Sequence, residues 1–454
     1  VVSVAFSVPT RLFGTLHEIL RIPLSNDPVG PRVHFSSALL FPGLRAAEQL
    51  TRSSSLGRRG AIRADDGTPL AEGPDRTSPL AGVASEIVGT LGPIPADEAR
   101  QYRALGYPSG AQVGIDGLES IFQRQLAGRP GARLLAGHRL LAEVPVRNGQ
   151  TVRTTIDPKV EEAAITALAG HYAGMTVIDP RTGALLGLAG IAFSAVQPPG
   201  STMKIITATA ALQAGLVTLN SQFAVQTSAT IDGYTMQNAS GEACGGSLLN
   251  AFAVSCNSVY APLGAKLGGA RLVAMAQRFG FDHPTGIPGA LESTIPSAAT
   301  IGSPLAVASS AIGQGMVQAS TLEMADVGAT IADGGRRPIP TFVYGAKPRF
   351  VNVTTRKVAS EVQRMMVAVV QYGTGTSAQI SGVEVAGKTG TAELTNTAGK
   401  ANASKDTDAW FVGYAPVGNA KVVACALYPA SGYGAATAAP AVAQVLQAAL
   451  EAGK

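Results

Sequence analysis

The sequence predicts an α+β protein built of two modules, on three observations. Hairpin-like strand pairs stand near both ends of the C-terminal two thirds, with Ala-, Leu- and Gly-rich helical stretches between them. Residues 1–150 contain no lysine, whereas all ten lysines lie at or beyond Lys159. Between these regions, Arg147-Asn148-Gly149-Gln150 has the composition of a linker. The boundary therefore falls near 145–155, giving an N-terminal module over 1–150 and a second domain over 151–454.

The N-terminal module mixes short strands and short helices into an irregular α+β pattern. In the second domain, Thr151-Val152-Arg153-Thr154-Thr155-Ile156 alternates β-branched residues and reads as a strand. Asp157 can then cap a helix over Pro158 to Leu168, with proline at the first helical position. Met175–Ile178 and Ala184–Leu188 flank the turn Asp179-Pro180-Arg181-Thr182-Gly183, which makes an antiparallel hairpin. Helical stretches run from Ser201 to about Ala332. A second hairpin pairs Ala409–Tyr414 with Lys421–Tyr428, and a closing helix spans Pro440 to Ala452 with Gly453 as its stop.

Composition removes several function classes. Hydrophobic residues make up 46% of the 454 residues, so a sizeable core can form and disorder is excluded. The net charge of +5 is spread along the chain without a basic stripe, so no nucleic-acid partner is expected. Cys244, Cys256 and Cys425 form no Cys-x-x-Cys pair, and the five histidines form no His-x-x-x-His pair. No metal site and no cofactor is therefore expected. The apolar stretches are too short for a membrane span. A chain beginning at Val1 reads as a piece of a longer one, with any membrane anchor N-terminal to it.

Three short clusters can carry chemistry. The first is Ser201-Thr202-Met203-Lys204, after the helix-incompatible loop Pro198-Pro199-Gly200. A helix over Thr202–Leu212 would put Ser201 at its N-terminus, where free N–H groups favour developing negative charge. Lys204, three residues on, shares that face. A serine hydroxyl is a poor nucleophile until an adjacent base takes its proton. Lysine can be that base only if burial and a nearby cation lower its pKa from ~10.4. Read alone, the pair is an ordinary helix cap and a solvated lysine.

The second cluster, Ser255-Cys256-Asn257, offers a hydroxyl to relay a proton and an amide to orient a carbonyl or the base lysine. Its ordinary reading is a helix-capping turn. The third, Lys388-Thr389-Gly390-Thr391, reads as an edge-like strand. Lys388 and the two threonine hydroxyls can bind a carboxylate, while Gly390 would let a ligand backbone approach. Its ordinary reading is a solvated strand lysine.

In this order, Ser-x-x-Lys, Ser-x-Asn and Lys-Thr-Gly resemble the signature shared by penicillin-binding proteins and class A serine β-lactamases. The N-terminal module extends the resemblance to class B penicillin-binding proteins. Arg59-Gly60-Ala61-Ile62, with Asp66-Gly67 and Leu70-Ala71 after it, is similar to one element of their non-catalytic region, and Gly114-Ile115-Asp116-Gly117-Leu118-Glu119 to another. The stretch Asn238 to Gly246 looks most like actinobacterial penicillin-binding lipoproteins.

The resemblance implies a penicillin-binding transpeptidase fold: an antiparallel five-stranded sheet flanked by helices, plus a helical subdomain. The N-terminal module would be its pedestal or dimerisation part. It implies a peptidoglycan D,D-transpeptidase that cross-links stem peptides through an acyl-enzyme and is acylated by β-lactams. Carried over by motif, Ser201 is the nucleophile, Lys204 the acylation base, Ser255 the proton shuttle and Asn257 the holder of the substrate amide. Lys388, Thr389, Gly390 and Thr391 line the donor and β-lactam site, and the backbone N–H groups of Ser201 and Thr391 form the oxyanion hole. Cys256 departs from the usual pattern at the variable position. Outside the cytoplasm, Cys244 and Cys256 read either as a disulfide bracing the site or as two buried thiols. The resemblance also implies anchorage at the outer face of the cytoplasmic membrane and a membrane glycosyltransferase as partner.

Rival readings are a serine β-lactamase, a β-lactam sensor and a catalytically silent wall scaffold. A β-lactamase needs a second carboxylate to activate the deacylating water, and Glu242 is the only glutamate between Ser201 and Ser255.

Overall fold

Of the 454 residues, the computed structural model describes 1–41, 44–45, 47–393 and 406–454, and these form two units. The first comprises Val1–Arg63 with Thr68–Val152, the second Ala64–Gly67 with Arg153–Lys454.

The first unit is assembled from small antiparallel ribbons and short helices. Val2–Thr10 pairs with Gly14–Ile22 in a register that sets Val2, Val4 and Val8 opposite Ile22, Leu20 and Leu16 on one face. A three-stranded sheet orders Arg139–Val144, Gly131–Ala136 and Leu50–Ser55. Leu70, Leu118 and Leu126 are fully buried. Beside them lies Glu119, also buried, with Arg59 Nε 2.6 Å from one carboxylate oxygen and Arg76 Nε 2.6 Å from the other. The two sequence segments that begin at Arg59 and end at Glu119 are thus joined by a buried ion triad. Removing the carboxylate would leave two guanidinium groups without their shared partner, a loss of about 3–5 kcal/mol.

The second unit is built on a five-stranded sheet. Helix α1 (Pro158–Leu168) precedes strands β1 (Gly174–Ile178) and β2 (Leu185–Gly190). Then come helices α2 (Lys204–Gln213), α3 (Leu248–Ala253), α4 (Asn257–Leu267), α5 (Thr321–Ala332) and α6 (Arg356–Gln371). Strands β3 (Ala386–Glu393), β4 (Thr407–Ala415) and β5 (Val422–Tyr428) and helix α7 (Ala438–Glu451) complete it. Strand order is β2-β1-β5-β4-β3, antiparallel throughout. Helices α1 and α7 pack on one side, and α5 and α6 cover the other. Every residue of β4 and β5 is buried, as expected for strands covered on both faces.

Local chemistry explains the start of α1: the Asp157 carboxylate accepts from the N–H groups of Lys159 and Val160 at 2.9 and 3.1 Å. Helix α2 is buried on all sides from Lys204 to Leu212, so it is the central post of the helical part.

Three expectations change. The strand expected over 151–156 is regular only at Val152–Arg153. The helix expected from Thr202 begins as a 3₁₀ turn, Gly200–Met203, and becomes α-helical at Lys204. The region between α2 and α3 holds two small hairpins, Gln222–Gln226 with Cys244–Ser247 and Ser228–Ile231 with Tyr234–Gln237. Their polar, mostly exposed residues gave no alternating apolar signal. Leu394, expected at the end of the Lys-Thr-Gly strand, lies outside the described residues.

Candidate active site

Ser201 sits in the 3₁₀ turn and is half-buried. The turn is held from below, since the Gly200 N–H donates to the Gly313 carbonyl at 2.9 Å. Gly200 has φ +52°, and a Cβ there would meet the Thr391 carbonyl at 2.6 Å. Only glycine allows this turn to press against strand β3. Gly390 serves the same approach: its missing Cβ would meet the Pro199 carbonyl at 2.7 Å, Trp410 Cβ at 2.8 Å and Thr202 Cγ2 at 2.9 Å. The space a side chain would need there is taken by the turn that carries Ser201 and by Trp410 of β4.

Three elements converge on the Ser255 hydroxyl. Lys204, the first residue of α2, is fully buried. Its Nζ lies 2.7 Å from the Ser255 carbonyl, 2.7 Å from Asn257 Oδ1 and 3.3 Å from Ser255 Oγ. Ser255 and Asn257 reach it because a sharp turn joins α3 to α4. Ser255 adopts φ +59° there, a left-handed conformation that costs a serine about 1–2 kcal/mol. Asn257 is fixed from its other end, where Nδ2 donates to the Gln237 carbonyl at 3.0 Å. Lys388 comes from edge strand β3 and is also fully buried. It donates to Ser255 Oγ at 2.9 Å and to the Thr389 carbonyl at 3.0 Å.

The electrostatics follow from burial. Both ammonium groups are out of water, and neither has a carboxylate partner among the described residues. The rings of Tyr260 and Phe252 stand 5.7 and 5.6 Å from the Lys204 and Lys388 nitrogens. Desolvation, and then the charge of Lys388, drive the Lys204 pKa well below the usual lysine value. Desolvation brings Lys388 down to about 7. A neutral amine near neutral pH is what a lysine base requires.

Cys244 and Cys256 form a disulfide with a Cα–Cα separation of 5.8 Å. It ties the residue between Ser255 and Asn257 to the outer hairpin. Cys425 is a free, buried thiol on β5. Thr389 Oγ1 lies 2.6 Å from Thr374 Oγ1. Thr374, Gln237, Phe252 and Tyr260 carried no motif; tertiary packing alone recruits them. Thr391 is half-buried, pairs with Ala409, and receives the Gly434 N–H on its hydroxyl at 3.4 Å. Among the described residues no cluster of His, Cys, Asp and Glu could hold a metal, and no helix is long and apolar enough to cross a membrane.

This five-stranded sheet, with two buried lysines meeting at the Ser255 hydroxyl beside the turn that carries Ser201, is the arrangement of an active-serine acyl-transfer enzyme. The chain belongs to the penicillin-binding protein transpeptidase family, whose transpeptidase-domain model matches residues 173–447. A model of the penicillin-binding protein dimerisation domain matches residues 61–152, the class B arrangement. A peptidoglycan D,D-transpeptidase PbpA of Mycolicibacterium smegmatis is 31% identical over 78% of this chain and 82% of its own length. A D,D-transpeptidase domain of a peptidoglycan glycosyltransferase from Eggerthella lenta superposes with a TM-score of 0.72. It is 28% identical and covers 88% of this chain and 99% of that structure. PBP2 of Pseudomonas aeruginosa superposes with a TM-score of 0.74 at 25% identity, over 88% of this chain and 97% of that one.

Proposed function

We propose that this chain is a peptidoglycan D,D-transpeptidase that cross-links stem peptides through an acyl-enzyme on Ser201. The observation that carries the reading is the position of Ser255 Oγ, within hydrogen-bond reach of both Lys204 and Lys388. Neutral Lys204 takes the Ser201 proton as Oγ attacks the carbonyl carbon of the penultimate D-Ala. The oxyanion accepts hydrogen bonds from the N–H groups of Ser201 and Thr391, each worth about 3 kcal/mol. The proton then passes from Lys204 through Ser255 to the leaving nitrogen, the C–N bond breaks, and D-Ala departs. In the second half, an acceptor amine attacks the ester carbon and gives up a proton through the same relay. Ser201 leaves with its hydroxyl restored and the cross-link formed. Asn257 orients Lys204 and the substrate amide, and Lys388 with Thr389 binds the terminal carboxylate. A β-lactam enters the same path and stops at the ester.

The serine β-lactamase reading is disfavoured, because a dimerisation module has no part in hydrolysing a small ring. We assign residues 151–454 to the transpeptidase domain and 1–150 to a non-catalytic pedestal. The substrate lies outside the cytoplasmic membrane, and the disulfide suits that compartment. We therefore place the protein on the outer face of that membrane, with a membrane glycosyltransferase as a partner of the pedestal. The test is release of D-Ala from a D-Ala-D-Ala stem peptide in the presence of an acceptor amine. Wild-type protein should release it and Ser201→Ala should not. Equal release by both would remove the reading.

A further inference from the structure

Asp408, the second residue of strand β4, is fully buried, yet among the described residues only one of its oxygens is hydrogen-bonded. Oδ1 accepts the Ala430 N–H at 3.0 Å, while Oδ2 has no partner among the described residues. Burial pushes its carboxyl up to about 6. A half-satisfied buried carboxylate is costly, so its retention calls for an explanation.

The explanation lies in what Asp408 holds. Ala430 is a non-glycine residue at φ +50°, the second residue of the loop 429–437 that follows β5. Next to it, the Thr407 carbonyl accepts from Ser431 and Gly432 at 3.0 and 3.2 Å, and the Thr407 hydroxyl donates to the Gly432 carbonyl at 2.9 Å. So anchored, the loop crosses the sheet surface to β3. There Gly434 presses on the backbone carbonyls of Trp410 and Gly390 so closely that a Cβ would collide with both. Its N–H donates to the Thr391 hydroxyl.

We infer that Asp408 is a positioning residue for acylation: by holding the Ala430 N–H it seats the 429–437 loop on Gly390 and Thr391, and so fixes the Thr391 N–H that faces the substrate carbonyl. This rests on the acyl-enzyme reading above. Asp408 itself touches neither substrate nor reacting atoms. What the loop needs is an acceptor at Oδ1, which an asparagine can supply and an alanine cannot.

The test measures the acylation rate constant with a fluorescent penicillin, alongside thermal unfolding, for wild type, Asp408→Ala, Asp408→Asn and Gly434→Ala. Wild-type labelling at Ser201 is the control; its absence would sink the acyl-enzyme reading instead. Asp408→Ala should acylate about tenfold or more slowly, with the loss in the rate constant and not in prior non-covalent affinity. Asp408→Asn should stay within about threefold of wild type. If Asp408→Ala does not fold, Gly434→Ala displaces the same loop from its seat and should show the same loss. The inference is overturned if folded Asp408→Ala acylates like wild type, if Asp408→Asn is as slow as Asp408→Ala, or if Gly434→Ala acylates normally.

Discussion

Lys204 and Lys388 share one hydroxyl: Ser255 Oγ lies 3.3 Å from the first nitrogen and 2.9 Å from the second. Burial acts first on Lys204 and the Lys388 charge second, and both disfavour the ammonium form.

Acylation should therefore rise with pH along the titration of Lys204. Lys388→Met removes the like charge but leaves the burial, so Lys204 should keep its proton to higher pH. The acid limb of the acylation profile should then move upward, on top of a lower rate at every pH from lost carboxylate binding. Rates measured between about pH 5 and 9 would show this. An unmoved limb would mean that Lys388 does not tune Lys204.

Ser255 combines a hydroxyl shared by two lysines with a strained backbone. Ser255→Ala and Ser255→Gly both remove the hydroxyl, and each should slow acylation about 10²-fold or more. Only glycine relieves the left-handed strain, so Ser255→Gly should be about 1 kcal/mol more stable than Ser255→Ala in urea unfolding. Equal stability of the two would mean that the turn is not strained.

The disulfide closes a short loop beside the two residues that hold Lys204. Replacing Cys244 and Cys256 by serine should cost about 3 kcal/mol in chemical unfolding. It should also slow acylation, because Cys256 stands between Ser255 and Asn257. Thiol titration of denatured, unreduced protein should find one reactive group, Cys425. Three would contradict the bridge.

Glu323 and Asp326 lie buried on α5 near Arg337, and desolvation raises Glu323 to about 7. A carboxyl whose folded pKa exceeds its unfolded value of ~4.3 stabilises the fold while protonated. That contribution fades as pH climbs from there through about 7. Glu323→Gln should accordingly gain on wild type in melting temperature at mildly alkaline pH and lose that gain in acid. A pH-independent difference would show that Glu323 does not titrate in this range.

Much of this architecture was legible in the sequence because local signals agreed with the global fold. Asp157-Pro158 marked the start of α1, and two hairpins with a closing helix framed the sheet. The three motifs named residues that do converge: Lys204, Ser255, Asn257 and Lys388 meet within hydrogen-bond distance. What escaped is what only three dimensions create. The 3₁₀ entry to α2 depends on Gly200 fitting under Thr391, far away in sequence. The Thr374–Thr389 pair and the role of Gly390 arise from packing between elements that no local pattern links. The outer hairpins are small and polar, so their strands left no periodic trace.

The central claim is that Ser201 becomes a nucleophile because Lys204 is neutral in this site. Incubation with a labelled penicillin, followed by intact-mass measurement and peptide mapping, tests it most directly. One antibiotic mass should be added on the peptide bearing Ser201, and Lys204→Met should take up none at neutral pH. An adduct on another residue, or undiminished labelling of Lys204→Met, would contradict the account.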